Sequence, residues 1–229
     1  LEKDDTLIAA RTLLGFSYFQ MGQYKEAEKI YNDCYEIAVR ENNQYLLAQA
    51  YVQLGNISFN KADFDRCQTN AQKALDINRE INNVEGIALS LNLLGVAMIR
   101  KNIYDQAIGH FEESFTIRQK LDDKLNMALL KNNIGIMHLN LTEYNKSLEC
   151  HNEAYKISSS INDNLGISRA LTNKANVHFK QLDLLSALDC CKEALDIKKN
   201  LGDETGSSIL ISNMGQIYRH LGDYEQSKK

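Results

Sequence analysis

Residues 131–140 read KNNIGIMHLN. The stretch has the apolar spacing of a helix, yet it contains Asn132, Asn133 and Gly135. Asparagine and glycine are poor helix formers, and a glycine inside a helix costs up to ~1 kcal/mol relative to alanine. Something other than helix propensity must therefore select these residues. The glycine indicates what it is, because it recurs at a fixed distance along the chain.

The chain of 229 residues is built on an internal repeat with a period of 40 residues. Four aligned positions keep their residue type through the repeats, except for Ala175 and Leu184. The glycine position holds Gly15, Gly55, Gly95, Gly135, Ala175 and Gly215; the isoleucine position holds Ile37, Ile77, Ile117, Ile157 and Ile197; the aromatic position holds Tyr24, Phe64, Tyr104, Tyr144, Leu184 and Tyr224; and a small-residue position holds Ala27, Cys67, Ala107, Ser147, Ala187 and Ser227. Chance does not keep so many positions in register, so the repeat organises the whole chain.

Each repeat is predicted to form two antiparallel helices, A and B. Helical apolar spacing over 124–141 is broken by residues 141–143 and resumes over 144–161. Between repeats, one position holds only N-cap types, and the position before it holds types that tolerate a left-handed backbone. The caps are Asn43, Asn83, Asp123, Asp163 and Asp203, and the residues before them are Asn42, Asn82, Asp122, Asn162 and Gly202.

A single helix pair cannot bury its apolar face alone, so consecutive pairs must stack. The predicted fold class is therefore all-α: a right-handed α-solenoid (superhelix) of about six antiparallel helix pairs, with helix A on the concave side. The predicted domain organisation is a single array over 1–229. Its units are approximately 1–40, 41–80, 81–120, 121–160, 161–200 and a partial unit 201–229.

Composition limits the classes of function. With 26 basic and 30 acidic residues the net charge is −4 and the pI is near 5.8, so no overall field attracts nucleic acid or anionic lipid. The sequence contains no run of about 18 apolar residues that would predict a membrane span, and it contains no basic-then-apolar leader that would predict secretion. The five cysteines form no CxxC pair, which favours buried thiols in a reducing compartment and a cytoplasmic protein. Because the chain begins with Leu1, we expect it to be part of a larger protein.

Residues 91–123 read LNLLGVAMIRKNIYDQAIGHFEESFTIRQKLDD and resemble a tetratricopeptide repeat (TPR). The residues on the family's motif positions are Leu94, Gly95, Ala107, Phe111 and Ser114. The motif's early Trp and terminal Pro are absent, and the period is 40 rather than the usual length of about 34 residues. This longer variant is similar to repeats in Pins/LGN-type adaptors, kinesin light chains and bacterial TPR signalling proteins. The resemblance implies a non-catalytic module that binds a peptide, or an extended or helical segment of a partner, in its concave groove.

The resemblance also implies which helix A positions contact a ligand. The predicted groove residues are Gln53, Asn133, Asn173 and Asn213 two before the glycine; Asn92 and Asn132 three before it; Arg169 six before it; Asn56, Asn176 and Gln216 one after it; and Arg100, Asn140 and Lys180 five after it. Each carboxamide offers one acceptor and two donors, so a ladder of amides pairs with the N–H and C=O groups of an extended peptide. Arg169, one turn before Asn173, supplies a cation for a carboxylate. The same amides suit hydrogen bonds to the facing helix or to water, and that alternative stays open.

The groove positions of the N-terminal repeats are more apolar. They include Leu13, Phe16, Phe19, Leu93, Val96 and Ile99. An amphipathic helix or a hydrophobic anchor of a partner would suit this surface. A preceding helix outside this chain would suit it equally, and the sequence does not separate the two.

The histidines and cysteines do not form a catalytic or metal-binding constellation. Those at adjoining repeat positions are His110, Cys150, Cys190, His151 and Cys191. Successive helices of a solenoid lie ~8–10 Å apart, whereas metal ligands converge to ~2–2.3 Å from the ion. Packing in the core is therefore the expected role of these residues, and also of His138 and His178. No enzyme activity, metal or cofactor is predicted.

Two classes of function remain. The first is a binding scaffold that recruits a peptide or disordered segment of another protein, without direct contact to nucleic acid or membrane. The second is a ligand-sensing regulatory domain of a bacterial signalling protein, coupled to an output domain outside this chain. Self-association through the uncapped end of the array is a third expectation.

Overall fold

The computed structural model describes residues 2–222, with side chains described from residue 10 onward. Eleven helices follow one another in this range: α1 (Glu2–Gln20), α2 (Tyr24–Arg40), α3 (Gln44–Asn60), α4 (Phe64–Glu80), α5 (Val84–Arg100), α6 (Tyr104–Lys120), α7 (Lys124–Asn140), α8 (Tyr144–Ser160), α9 (Asn164–Lys180), α10 (Leu184–Asn200) and α11 (Glu204–His220). Odd-numbered helices are the A helices of the repeats and even-numbered helices are the B helices. The predicted helix B of the sixth repeat, with Tyr224 and Ser227, lies outside the described residues.

The turns from helix B to the next helix A have the caps that the sequence predicts. The side chains of Asn43, Asn83, Asp123, Asp163 and Asp203 each accept a hydrogen bond, at 2.8–3.2 Å, from the backbone N–H three residues later. The residue before each cap has a left-handed backbone, with φ between 51° and 70°. Because three residues separate each pair of helices, neighbouring helices run antiparallel.

Basic side chains at the end of helix B reinforce two of these caps. A nitrogen of Arg118 lies 2.8 Å from the Asp123 carboxylate, and Lys198 lies 2.6 Å from Asp203. Burial alone would raise the pKa of Asp123, but hydrogen bonds from Asn126 and the Arg118 guanidinium outweigh it and hold that pKa below its ordinary value. Arg118 is only 6% exposed, so the cap of α7 is also the counter-ion of a buried cation.

The turns from helix A to helix B use the same backbone geometry with less suitable residues. Their left-handed residues are Gly22, Ala62, Asn102, Thr142, Leu182 and Gly222, with φ between 59° and 78°. In the first turn of this kind without glycine, the N–H of Ala62 bonds to the carbonyl of Phe59 at 3.0 Å and that of Asp63 to the carbonyl of Ser58 at 2.9 Å, which is a Schellman motif. Alanine, threonine and leucine disfavour this region. The short turn therefore overrides local propensity, which the sequence does not predict.

Residues 1–117 and 118–229 form two compact units, called unit 1 and unit 2 here. The core of unit 1 includes Val52, Cys67, Ala71, Leu75, Leu91, Leu93, Leu94 and Ala97, and that of unit 2 includes Leu171, Ala175, Ala187, Leu188, Cys191, Leu195, Leu210 and Ile217. The small-residue position of the repeat is buried throughout the described helices, since Ala27, Cys67, Ala107, Ser147 and Ala187 are all 0% exposed.

Helices of near-equal length, packed in sequence as antiparallel hairpins, confirm the predicted all-α repeat fold. The single array over 1–229 stays a prediction. Among the described residues, no helix is long and apolar enough to cross a membrane.

Candidate functional site

Gly135, the glycine of the stretch KNNIGIMHLN, lies against the imidazole of His151. A Cβ added to Gly135 would be 2.6 Å from Cε1 of His151 and 2.8 Å from each ring nitrogen. Gly95 and Gly15 contact the rings of Phe111 and Tyr31 in the same way. In these three repeats the glycine makes room for a ring from helix B.

Asn132 joins this buried imidazole to a predicted groove residue. Its Oδ1 lies 3.0 Å from Nδ1 of His151 and accepts a hydrogen bond from Nδ2 of Asn173 at 3.3 Å. Because Oδ1 is an acceptor, Nδ1 of His151 must carry the proton of the neutral ring. Burial, with the charge of Lys174, lowers the pKa of His151 to about 4, so the ring is neutral at physiological pH.

The prediction that Asn132 contacts a ligand is wrong for its side chain. Asn132 is 1% exposed, because the face of α7 that carries it packs against α8 and α9. Its role is to fix Asn173, which remains partly exposed with its Oδ1 free of this bond. For Asn132 the structure therefore supports the alternative that the sequence left open, a hydrogen bond to the facing helix.

The other predicted residues of unit 2 lie on one repeated face of α7, α9 and α11, called the A-face here. Asn133, Asn173, Asn213 and Arg169 are partly exposed, and Asn140, Asn176, Lys180 and Gln216 are exposed. Within the described residues, the carboxamides of Asn133, Asn176 and Asn213 make no hydrogen bond. Their donors and acceptors are thus available to water or to a ligand.

A small pocket between α9 and α11 brings three predicted residues together. Asn176, Asn213 and Gln216 line it beside Phe179 and Ile217, and its volume is about 50 Å³. The pocket has an apolar floor, since Ile217 is buried, and amide groups around it. Such a mixture suits a peptide bond and a small side chain better than it suits a charged group.

The predicted residues of unit 1 are more engaged with one another. Nδ2 of Asn56 donates to Oε1 of Gln53 at 3.3 Å, and the guanidinium of Arg100 lies 5.4 Å from the ring centre of Phe59. Asn92 is partly exposed. Unit 1 therefore offers fewer free amides than unit 2.

Leu93 was predicted to belong to an apolar groove surface, and this is wrong. It is 6% exposed and belongs to the core, where its Cδ2 lies 2.7 Å from the position of a Cβ on Gly55. At this repeat the ring position is Ala71, so Leu93 of α5 fills the space that a ring fills elsewhere. Leu13 and Phe16 are exposed, at 67% and 49%, which leaves both predicted explanations of the apolar surface open.

His138 and His178 lie where helix A meets helix B, and each faces a carboxylate at the start of helix B. Nδ1 of His138 is 2.6 Å from Oε2 of Glu143, and Nδ1 of His178 is 3.3 Å from Oδ2 of Asp183. The two histidine side chains are 13% and 19% exposed. They are therefore structural groups near the turns rather than fully enclosed core residues.

At the repeat position six residues before the glycine, only Arg169 was predicted to contact a ligand. Gln49 and Leu89 hold the same position in unit 1, and both line a cavity there. Leu89 is 48% exposed despite being apolar. The signal in the sequence was their alignment with Arg169, because residues at one repeat position lie on the same face of their helices.

The fold defines an α-helical repeat domain built of antiparallel helix hairpins. The tetratricopeptide repeat family profile matches residues 5–57, 46–120, 126–200 and 166–229. The chain belongs to the tetratricopeptide repeat family. A comparison with curated proteins found no match.

Several solved structures are similar to this chain in fold. BtubC (BKLC) from P. vanneervenii aligns with a TM-score of 0.76 at 17% identity, covering 91% of this chain and 86% of that one. A signal transduction ATPase with numerous domains (STAND) from Pyrococcus horikoshii, with a tetratricopeptide repeat sensor, aligns with a TM-score of 0.79 at 18% identity. That alignment covers 96% of this chain but only 34% of the larger protein. A Rap protein complexed with Competence and Sporulation Factor has a TM-score of 0.72 at 12% identity, with 95% and 70% of the two chains covered.

Proposed function

We propose that the chain is a non-catalytic protein-interaction module, and that unit 2 binds an extended peptide segment of a partner along its A-face. The observation that carries the proposal is the pocket lined by Asn176, Asn213 and Gln216. Three amides around one depression supply the donors and acceptors that a peptide backbone requires. Membership of a family of binding domains supports the same function.

The charges on this face favour a neutral or acidic peptide. Arg169 is partly exposed one turn before Asn173, and Lys180 is exposed one turn after Asn176. Cations beside a row of amides suit a carboxylate that flanks the bound backbone. The whole chain has a net charge of −4, so this preference is local to the A-face.

The test is a pull-down with the chain as bait, comparing the wild type with a double variant, Asn133→Ala with Asn213→Ala. Neither side chain makes a hydrogen bond within the described residues, so their removal should leave the fold intact. Asn173→Ala is a less suitable choice, because Asn173 donates to the buried Asn132. We expect the double variant to lose partners that the wild type retains, with unchanged circular dichroism and melting temperature.

The matched control is Asn145→Ala with Asn152→Ala, two exposed asparagines on helix α8. This control should retain every partner. Equal loss of partners in both double variants, or no loss in either, would remove the A-face of unit 2 as the binding site.

A ligand-sensing domain of a signalling protein is the second candidate function. The bond from Asn173 to Asn132, and from there to His151, connects the A-face with the core between α7 and α8. A ligand that displaces Asn173 would therefore disturb this core. The sensor repeats of the similar STAND protein support this candidate, and faster hydrogen exchange in α8 upon ligand binding would favour it over a passive scaffold.

Self-association is tested by sedimentation at several concentrations. A chain that remains monomeric at all of them would exclude it.

A further inference from the structure

Unit 1 contains an open cavity that the predicted groove does not explain. Its volume is about 150 Å³, and residues of α1, α2, α3 and α5 form most of its wall. The buried part of the wall includes Tyr31, Cys34, Leu46 and Val52, each no more than 9% exposed. A depression with such a floor is already formed before any ligand binds.

Two large apolar side chains mark the place where the cavity meets solvent. Tyr45 is 54% exposed and Leu89 is 48% exposed, and both line the cavity. Exposed apolar groups around an apolar depression gain free energy when an apolar group covers them. The preferred occupant is thus an apolar group that extends from the floor to the opening.

The volume indicates the size of that group. A cavity of about 150 Å³ inside another well-packed protein accommodates benzene. A phenyl or phenol ring therefore matches the cavity in unit 1, and Tyr31 and Tyr45 provide aromatic edges and faces for it to pack against.

One charged side chain lines the cavity among the described residues, and it is acidic. Glu85, in the first turn of α5, is exposed at the wall near Leu89. A cation beside the bound ring would lie near this carboxylate, whereas an anion there would be repelled.

The cavity is continuous with the predicted amide positions of unit 1. Gln53 lines the cavity and also accepts a hydrogen bond from Asn56, one turn further along α3. A backbone attached to the bound ring would therefore leave the cavity beside two amide side chains. This favours a peptide over a free aromatic compound.

We infer that the cavity of unit 1 receives the ring of a Phe or Tyr residue of a partner peptide, with a Lys or Arg next to that residue. The inference rests on the proposed function, because it assumes that the partner presents a peptide segment. It adds a second contact, of different chemistry and in the other unit, to the amide face of unit 2.

The test is a titration of the whole chain with three probes, monitored by amide NMR. The probes are Ac-Phe-Lys-NH2, Ac-Phe-Glu-NH2 and benzene. We expect all three to shift the amide signals of Ala50 and Gly86, which line the cavity. The lysine peptide should bind about two- to fivefold more tightly than the glutamate peptide, as for an exposed ion pair. Glu85→Lys should reverse this preference and leave benzene binding unchanged.

Two variants block the cavity. Ala50→Leu places a larger side chain inside it, and Leu89→Trp closes its opening from an exposed position that tolerates change. Both should abolish the shifts, whereas Leu125→Trp, at an exposed position of α7, should not. If Ala50→Leu does not fold, Leu89→Trp alone decides the result.

Three results would overturn the inference: shifts that persist in the blocked variants, equal affinity for the two peptides, or benzene binding as tightly as the lysine peptide. The last result would indicate a site for free aromatic compounds. The amide variants of unit 2 do not touch this cavity, so failure of the pull-down test and failure of this titration are separate outcomes.

Discussion

Replacing Gly135 with alanine tests the packing of the repeat. Alanine is a better helix former by about 1 kcal/mol, so propensity alone predicts stabilisation. The new Cβ would, however, lie 2.6–2.8 Å from three atoms of the His151 ring. This ring is fully buried and bonded through Nδ1 to Asn132, so it cannot move aside freely.

Gly109 is a matched control in helix α6. It is exposed, and an added Cβ would have no neighbour within 4 Å, so Gly109→Ala should stabilise by about 1 kcal/mol. Overpacking in a core costs roughly 1–3 kcal/mol, so the free energies of unfolding of the Gly109 and Gly135 variants should differ by about that amount.

Urea denaturation followed by far-UV circular dichroism measures the difference. With an m-value of roughly 2–3 kcal/mol/M, the two midpoints should differ by about 0.3–1.5 M. Native hydrogen exchange would assign each change to its own helices, since repeat proteins unfold locally. Adding His151→Cys to Gly135→Ala should recover part of the loss, because Ala175 and Cys191 form that pair in the next repeat. Stabilisation by Gly135→Ala equal to that by Gly109→Ala would refute the packing argument.

Three further predictions concern His151, the cap of α7 and a turn. The pKa of His151 is about 4 in the folded chain and 6.5 in the unfolded chain, so the unfolded chain binds the proton first as the pH decreases. The free energy of unfolding should therefore fall between pH 6.5 and pH 4, by up to roughly 3 kcal/mol. His151→Phe should flatten this part of the stability–pH curve, and an unchanged slope would contradict the prediction. Asp123→Asn keeps a cap but removes the counter-ion of the buried Arg118, so we expect a loss of about 1–3 kcal/mol in urea denaturation, against little change for Asp163→Asn. Leu182 is 72% exposed with φ of 61°, so Leu182→Gly should stabilise by about 0.5–1 kcal/mol; a lower melting temperature would count against strain at this turn.

The sequence predicts the repeat, the helices and one set of turns because these follow from local chemistry. Asn82 and Asp123, for example, are residue types that favour a left-handed backbone and an N-cap, and the structure confirms both roles. The turns at Ala62 and Leu182 are not predictable in this way. Their geometry follows from the spacing of two packed helices, which acts against the preference of the residue.

The wrong predictions for the candidate site concern the side of a helix on which a residue lies. Asn132 and Asn133 are adjacent and chemically identical, yet one is buried and the other partly exposed. Asn132, the one that enters the core, finds its hydrogen-bond partner there in the ring of His151, 19 residues away. A signal was available in the column that holds Tyr31, Ala71, Phe111, His151 and Cys191, since a buried imidazole at this position requires a polar neighbour.

The same column explains why the A helices of unit 1 carry fewer free amides than the A-face of unit 2. Where a ring fills the space over the glycine, as His151 does over Gly135, the residue two before the next glycine is free to be Asn173. Where the column holds Ala71, the space over Gly55 must be filled from the next helix A, and Leu93 is drawn into the core. An amide at position 93 would leave that space empty, at a cost that increases with cavity volume. Core packing on one side of helix A thus decides whether an amide is available on the other, and it restricts the longest run of free amides to unit 2.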